Sequence, residues 1–272
     1  MESYWTRVGL RVWAGLILAF LFVPMLLIAI YAFNTSNIQS WPISGFTTKW
    51  FGQAFGDSEV RTSFLLSIKA GLMSTAVAVV LGSLAAFAVH RFRFFGRETV
   101  SFVVVLPLAL PGIITGMALN SFFNFNGLTL SLWTIVIGHA TFCIVIVYNN
   151  LLARLRRVPG SLVEASMDLG AGGWQTFRHV TLPTVSTALI AGALLAFALS
   201  FDEVIVTTFT AGAQNTLPLW IFGAIRLGQQ LPEVNVVVLW VLALTLIPVI
   251  LAQRLMRDTG VLRSRAAGAR GV

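Results

Sequence analysis

Few residues of this sequence carry a reactive or ligating group, and their arrangement excludes most catalysis. Lys49 and Lys69 are the only lysines, and neither follows the glycines of a phosphate-binding loop, so the chain does not hydrolyse ATP by that route. No His-x-x-Glu-His or related metal spacing occurs, and no Gly-x-Ser-x-Gly places a nucleophile. Cys143 is the single cysteine, which rules out an internal disulfide and a cysteine-cluster metal site. It lies in an apolar run and reads as a small core residue. No catalytic residue and no metal ligand is therefore assigned. What remains is Glu164 in a polar stretch, the pair Asp202–Glu203, and two ionisable residues inside apolar runs, Lys69 and His139. Paired carboxylates at the edge of an apolar run either pair or serve a site, or they sit in water at an interface. A lone intramembrane His is first of all a hydrogen-bonded packing residue. Lys69 either snorkels to the interface or faces a polar cavity.

The elements that hold these groups are apolar and long. The 272 residues are 57% hydrophobic and 10% charged, the composition of a membrane protein. A net charge of +8 needs no nucleic-acid partner here, because basic residues collect on the cytoplasmic side of membrane proteins. Six runs reach the roughly 20 residues needed to cross a hydrocarbon core, at about 9–33, 64–89, 99–121, 130–152, 182–202 and 234–253. Arg7 and Arg11 ahead of the first mimic a signal peptide, but the run is too long for an h-region and no A-x-A site follows, so an uncleaved helix is expected. One set of ends carries Arg7, Arg11, Arg91, Arg93, Arg97, Arg154, Arg156, Arg157, Arg178 and the run from Arg254 to Arg270. The other carries only Lys49, Arg61 and Arg226. That asymmetry predicts six transmembrane helices with both termini in the cytoplasm. Membrane lipid is the surrounding partner, with the Arg154–Arg157 cluster beside acidic headgroups.

Within this frame each segment has its own expectation. The loop at about 34–62 is predicted to lie on the outer surface with a short helix near Lys49–Phe55. Gly71, Ser74, Gly82, Ser83, Ala85 and Ala86 in the second span suit close helix packing. Pro107 and Pro111 each remove a backbone donor and clash with the preceding turn, so the third span should be kinked and turned toward a protein-lined path. Asn120, Phe122, Phe123, Asn124 and Phe125 form its polar-aromatic outer end. Asp202 and Glu203 close the fifth span. The segment Val204–Leu231 is expected to be a partly buried outer segment with one short helix at about Pro218–Leu227. The basic tail after Asp258, rich in Ala and Gly, is predicted to be disordered.

The longest polar interruption in the second half of the chain runs from Pro159 to Pro183, PGSLVEASMDLGAGGWQTFRHVTLP. Pro159-Gly160 breaks the preceding helix. Ser161 and Glu164 have the spacing of a capping box for a short helix at about 161–169, and the three glycines from Gly170 to Gly173 would end it. Glu164-Ala165-Ser166, Gly170, Val180 and Leu182-Pro183 have the spacing of the EAA loop, with Ser166 and Val180 in place of Ala and Ile. The pattern resembles that of ABC importer permeases. Leu106–Leu119, Ser200–Thr208 and Leu217-Pro218-Leu219 extend the likeness to the spermidine/putrescine group, the second permease of the pair in particular, over about Thr62–Asp258.

The resemblance implies an all-α membrane protein with the MetI-like type I importer fold. Residues 1–61 would form an N-terminal helix and outer loop, 62–258 the permease core with its coupling loop at 159–183, and 259–272 the tail. It further implies that Glu164, Ala165, Ser166, Gly170 and Ala171 dock on a cytoplasmic ATPase. Two such ATPase subunits, a second permease subunit and an extracytoplasmic substrate-binding protein would be the partners. ATP and Mg would be held by the ATPase and no cofactor by this chain. The expected cargo is a small amine, foremost a polyamine, with Asp202, Glu203, Asn120 and Phe122 beside its path. The alternatives are 4-aminobutyrate or an aminoalkylphosphonate, for which Lys69 weighs against a cation path. An ion-gradient transporter would need intramembrane ion ligands or a twin of the broken span. A membrane enzyme would need a nucleophile and base at membrane depth, and neither is visible.

Overall fold

The computed structural model describes residues 4–245, and among them every regular element is helical. The chain divides into two compact units, residues up to 60 together with those from 223 onward, and residues 61–222.

In the first unit, α1 (Tyr4–Ala32) is apolar on all sides and leaves Leu16, Phe20, Leu21 and Leu26 exposed. A helix of that kind is stable only in an apolar medium. The chain then turns back through an isolated bridge between Asn34 and Phe46. A short helix forms where one was expected, α2 (Lys49–Gly56), held by Trp50 Nε1 donating to the Asn34 carbonyl at 2.7 Å. The sixth predicted span is described as far as α12 (Leu231–Thr245). Its remainder and the basic tail lie outside the described residues.

The second unit is built around α6 (Leu132–Leu155). Of its most apolar window 67% is buried, against 28% for α3 (Ser58–Arg91) and 17% for the helical stretch Gly173–Phe201, so α6 is the core helix and the others wrap it. Small residues set the spacing, as expected for α3. A Cβ on Gly82 would come within 2.8 Å of the Ile144 carbonyl, so only glycine allows α3 and α6 this close. Ser74 Oγ donates to the Val136 carbonyl at 3.3 Å on the same seam. Cys143 is the small buried residue expected, its thiol 3.3 Å from the Ala196 carbonyl of α9 (Leu182–Phe201).

The third predicted span is broken rather than merely kinked. It consists of α4 (Arg97–Ala109) and α5 (Gly112–Phe125), bent by 104°. Pro107 stays inside α4 while Pro111 becomes the N-cap of α5, so one proline makes the break and the other is absorbed. Among the described residues, four helices are long and apolar enough to cross a membrane, or five with the bent pair as one.

Between Asp202 and Leu231 two short helices form where one was expected: α10 (Ile205–Thr210) as well as α11 (Leu217–Leu227). A six-residue helix has almost no internal bonds, and its ends need partners. Thr134 Oγ1 donates to the Thr210 carbonyl at 2.7 Å, Asn120 Nδ2 donates to the Phe209 carbonyl at 2.7 Å, and Glu203 Oε1 accepts from the Val206 amide at 2.9 Å. His139, fully buried on α6, completes the clamp with Nδ1 2.7 Å from Ser200 Oγ and Nε2 2.8 Å from Thr207 Oγ1. Thr207 Oγ1 already donates to the Glu203 carbonyl at 2.7 Å. It must therefore accept from His139 Nε2–H, which leaves Nδ1 to accept from Ser200.

Replacing His139 with Ala removes both bonds at once, strands the buried Ser200 hydroxyl and leaves Thr207 only its bond to the Glu203 carbonyl. The expected loss is roughly 1–3 kcal/mol, seen as a lowered unfolding midpoint of the detergent-solubilised protein. An unchanged midpoint would show that the imidazole does not clamp α6, α9 and α10.

Candidate functional site

The polar stretch after α6 folds as a helix, a glycine turn and a second helix. The first, α7 (Ser161–Asp168), starts one residue earlier than a Ser161 cap would allow. Gly160 is the N-cap and already helical, and the Glu164 amide bonds its carbonyl at 3.1 Å. Ser161 is thus inside the first turn, where its hydroxyl cannot reach back to the first free amides, and the expected Ser161–Glu164 capping box does not form. Glu164 is left as an exposed carboxylate at the positive end of the helix.

The glycine termination is as expected. Gly170 takes φ +84°, its amide bonds the Met167 carbonyl at 2.9 Å, and the Ala171 amide bonds the Ser166 carbonyl at 3.1 Å. These are the paired bonds of a Schellman turn, which favours glycine at the left-handed position.

The next part differs from expectation. The polar stretch does not persist as a loop to Pro183; helix resumes at Gly173. It begins as α8 (Gly173–Thr176), widens to a π turn over Phe177–Thr181, and continues without interruption into α9. Arg178 and His179 make this segment look like loop. Yet Trp174, Phe177 and Val180 recur every three residues, the spacing of one helix face. The π turn also explains how Pro183 is tolerated so near the start of α9. The Leu182 amide bonds the Phe177 carbonyl, five residues back, and the wider turn accommodates the proline ring.

The five residues expected to dock are thus gathered on one compact piece. Glu164, Ala165 and Gly170 are exposed, and Ser166 and Ala171 are half-buried. Ser166 Oγ lies 3.1 Å from Thr176 Oγ1, which braces α7 against α8, and the Gly172 amide bonds Gln175 Oε1 at 2.9 Å, which caps α8. Behind it a cavity of about 670 Å³ lies between α7 and the ends of α3 and α6, walled by Phe87, His90, Leu155, Val163, Met167 and Phe177. Phe177 bridges its edge. Trp174 stacks on it with ring centres 5.5 Å apart, and Phe87 of α3 meets it edge-on at 5.6 Å.

At the other end of the unit, the four predicted path residues divide by role. Asn120 and Glu203 hold opposite ends of α10. Asp202, the C-cap of α9, and Phe122 on α5 are exposed. Lys69 is exposed on α3. Sequence reasoning did not find Ser200, Thr207, Thr134, Thr176, Phe87 or Phe177. A hydroxyl within an otherwise apolar run was the available signal for Ser200 and Thr134.

Residues 78–258 match the model of the family described as binding-protein-dependent transport system inner membrane component. The chain is 36% identical over 225 residues to the putrescine transport system permease protein PotI of Escherichia coli (strain K12), covering 79% of each chain. It is 33% identical over 244 residues to the spermidine/putrescine transport system permease protein PotC of the same strain, covering 89% of this chain and 91% of the other. Among solved structures, a chain of a bacterial ABC transporter involved in the import of the acidic polysaccharide alginate superposes with a TM-score of 0.68 at 17% identity, over 95% of this chain and 98% of that one. A chain of the MetNI methionine ABC transporter in an inward-facing conformation gives 0.57 at 19% identity, over 74% and 94%. The chain belongs to the binding-protein-dependent transport system inner membrane components: it is a multi-pass permease subunit of a bacterial ABC importer, not an enzyme.

Proposed function

We propose that this chain forms half of the translocation path for a polyamine and draws its power from a cytoplasmic ATPase through α7. The observation that carries the coupling role is the build of α7 itself. It is a short exposed helix, ended by a Schellman turn, braced to α8 and joined to α9 by unbroken helix. A docking element has to be stiff, since slack would absorb the stroke. Glu164, Ala165, Ser166, Gly170 and Ala171 form the docking piece, with the small side chains allowing close approach of a partner surface. The ATPase holds ATP and Mg. Two ATPase subunits, a second permease and an extracytoplasmic binding protein complete the assembly.

The arginine asymmetry supports six crossings with both termini and α7 in the cytoplasm, α12 being the start of the sixth. The extent of the family likeness, about Thr62–Asp258, supports the division at residues 61/62, with the core running to 258 and the tail beyond it. The similarity to permeases named for putrescine and spermidine supports a polyamine. Exposed Asp202 provides a carboxylate for an ammonium group, and Phe122 an aromatic face. The exposed ammonium of Lys69 favours a second reading, a zwitterion such as 4-aminobutyrate or an aminoalkylphosphonate. A ligand screen on the partnering binding protein separates the two.

Gly170→Asp forces a β-carbon into the left-handed turn, and Glu164→Arg reverses the charge on α7. Each is expected to lower co-purification of the ATPase by roughly tenfold or more, the loss of one interface hot spot. Undiminished retention in both variants would rule out docking through α7. Asp202→Asn is expected to keep the ATPase bound but cut maximal putrescine uptake by about fivefold, the size of one partly screened charge interaction. Uptake equal to the parent's would remove Asp202 from the path.

A further inference from the structure

We infer that Phe177 is the positioning residue through which movement of α7 reaches α3, with Phe87 as its seat. The inference rests on the reading of α7 as the docking helix. The piece that would move is stiff, because the Schellman turn and the Ser166–Thr176 contact fix α7 to α8, and the Gly172–Gln175 bond caps α8. Two routes lead from it into the membrane helices.

The backbone route into α9 passes through the π turn. Such turns occur as single turns inside α-helices, often at functional sites, and Pro183, two residues past the end of this one, has no amide to donate back into it. It is the compliant route. The side-chain route runs through Phe177, the first residue of that turn. Its ring is held by Trp174 at 5.5 Å, with planes 26° apart, and meets Phe87 at 5.6 Å with planes 69° apart. Around this contact the space between α7 and the end of α3 is cavity, with Val163 and Met167 on one wall and Phe87 and His90 on another. Force directed across the gap is therefore concentrated on the ring pair. Phe87 in turn packs against the buried cluster that contains Ala86, Val89, Tyr148 and Leu151. Displacing its ring displaces α3, a continuous helix from Ser58 to Arg91.

The test uses the chain assembled with its ATPase and second permease in membrane vesicles. Lys69→Cys places a thiol on the exposed side of α3, and the native Cys143 is buried and gives no background. The readout is its labelling rate by a membrane-impermeant maleimide with and without MgATP. In the parent the nucleotide should change the rate by about threefold or more. Phe177→Ala and Phe87→Ala should each abolish most of that change while the ATPase still co-purifies. The double variant should be no worse than either single, because both remove the same contact. Phe177→Tyr, which keeps the ring, should restore the response. A full nucleotide response in Phe177→Ala, or losses that multiply in the double variant, overturns the inference. So does loss of ATPase binding in Phe177→Ala with an intact response in Phe87→Ala, which would make Phe177 a docking residue. Phe87→Ala tests the contact from the other side should Phe177→Ala fold poorly. A parent that neither retains the ATPase nor responds to nucleotide defeats the docking reading itself, and this inference with it.

Discussion

A backbone amide or carbonyl in hydrocarbon must find a partner inside the protein, and the second unit of this chain is arranged around that requirement. The short helix α10 is where it presses hardest. Six residues cannot satisfy their own ends, and the helix sits against the most enclosed element of the unit. Its existence depends on side chains sent from three other segments. Thr134 and Asn120 take its last carbonyls, Glu203 takes an early amide, and His139 ties Thr207 to Ser200. The imidazole is suited to this role because it can accept on one nitrogen and donate on the other along one plane. A hydroxyl in its place would not span the distance from Ser200 on α9 to Thr207 on α10.

The same requirement separates the two ends of the unit. Toward Asp202 several polar side chains are spent on holding backbone. Exposed Asp202 and Phe122 stand out because Asn120 and Glu203, beside them in sequence, are committed to α10. At the α7 end polar groups are abundant and exposed, and stiffness comes from local turns. The Schellman turn at Gly170 and the brace from Ser166 to Thr176 supply it without a buried core. Ser166 departs from the Ala of the EAA pattern, and the brace uses the hydroxyl that the departure introduces.

The apolar runs were legible because a crossing helix must be about 20 residues long and free of charge. α1, α3 and α6 lie where those runs lie. The termination at Gly170 was equally legible, since a left-handed position favours glycine in any context. The break at Pro111 was visible as a kink but not in size. A proline tells where a donor is missing, not how far the chain bends there, which depends on neighbours such as Phe209 packed against Gly116 of α5. Helix α10 was invisible because nothing local makes it a helix; its stabilising partners come from positions up to 89 residues away. The part Asn120 and Glu203 play in holding α10 was hidden for the same reason: their partners are backbone groups that only the fold brings near.

The resumption of helix at Gly173 gives a physical meaning to the fixed spacing between Gly170 and Leu182-Pro183. Were the intervening residues a loop, one more or one fewer would matter little, because loop closure depends only weakly on length. They are instead nearly continuous helix running into α9. Each added residue in a helix rotates everything beyond it by about 100° and advances it by about 1.5 Å. Spacing then fixes the direction in which Phe177 points relative to α9, and hence whether its ring meets Phe87. The π turn holds one residue more than an α-helical turn would, and it lies between the ring and Pro183. Removing that residue would restore regular hydrogen bonding only by turning the Trp174–Phe177 face away from α3. The irregular turn is thus the geometric condition for keeping Phe177 against α3 while α9 keeps its own face toward α6.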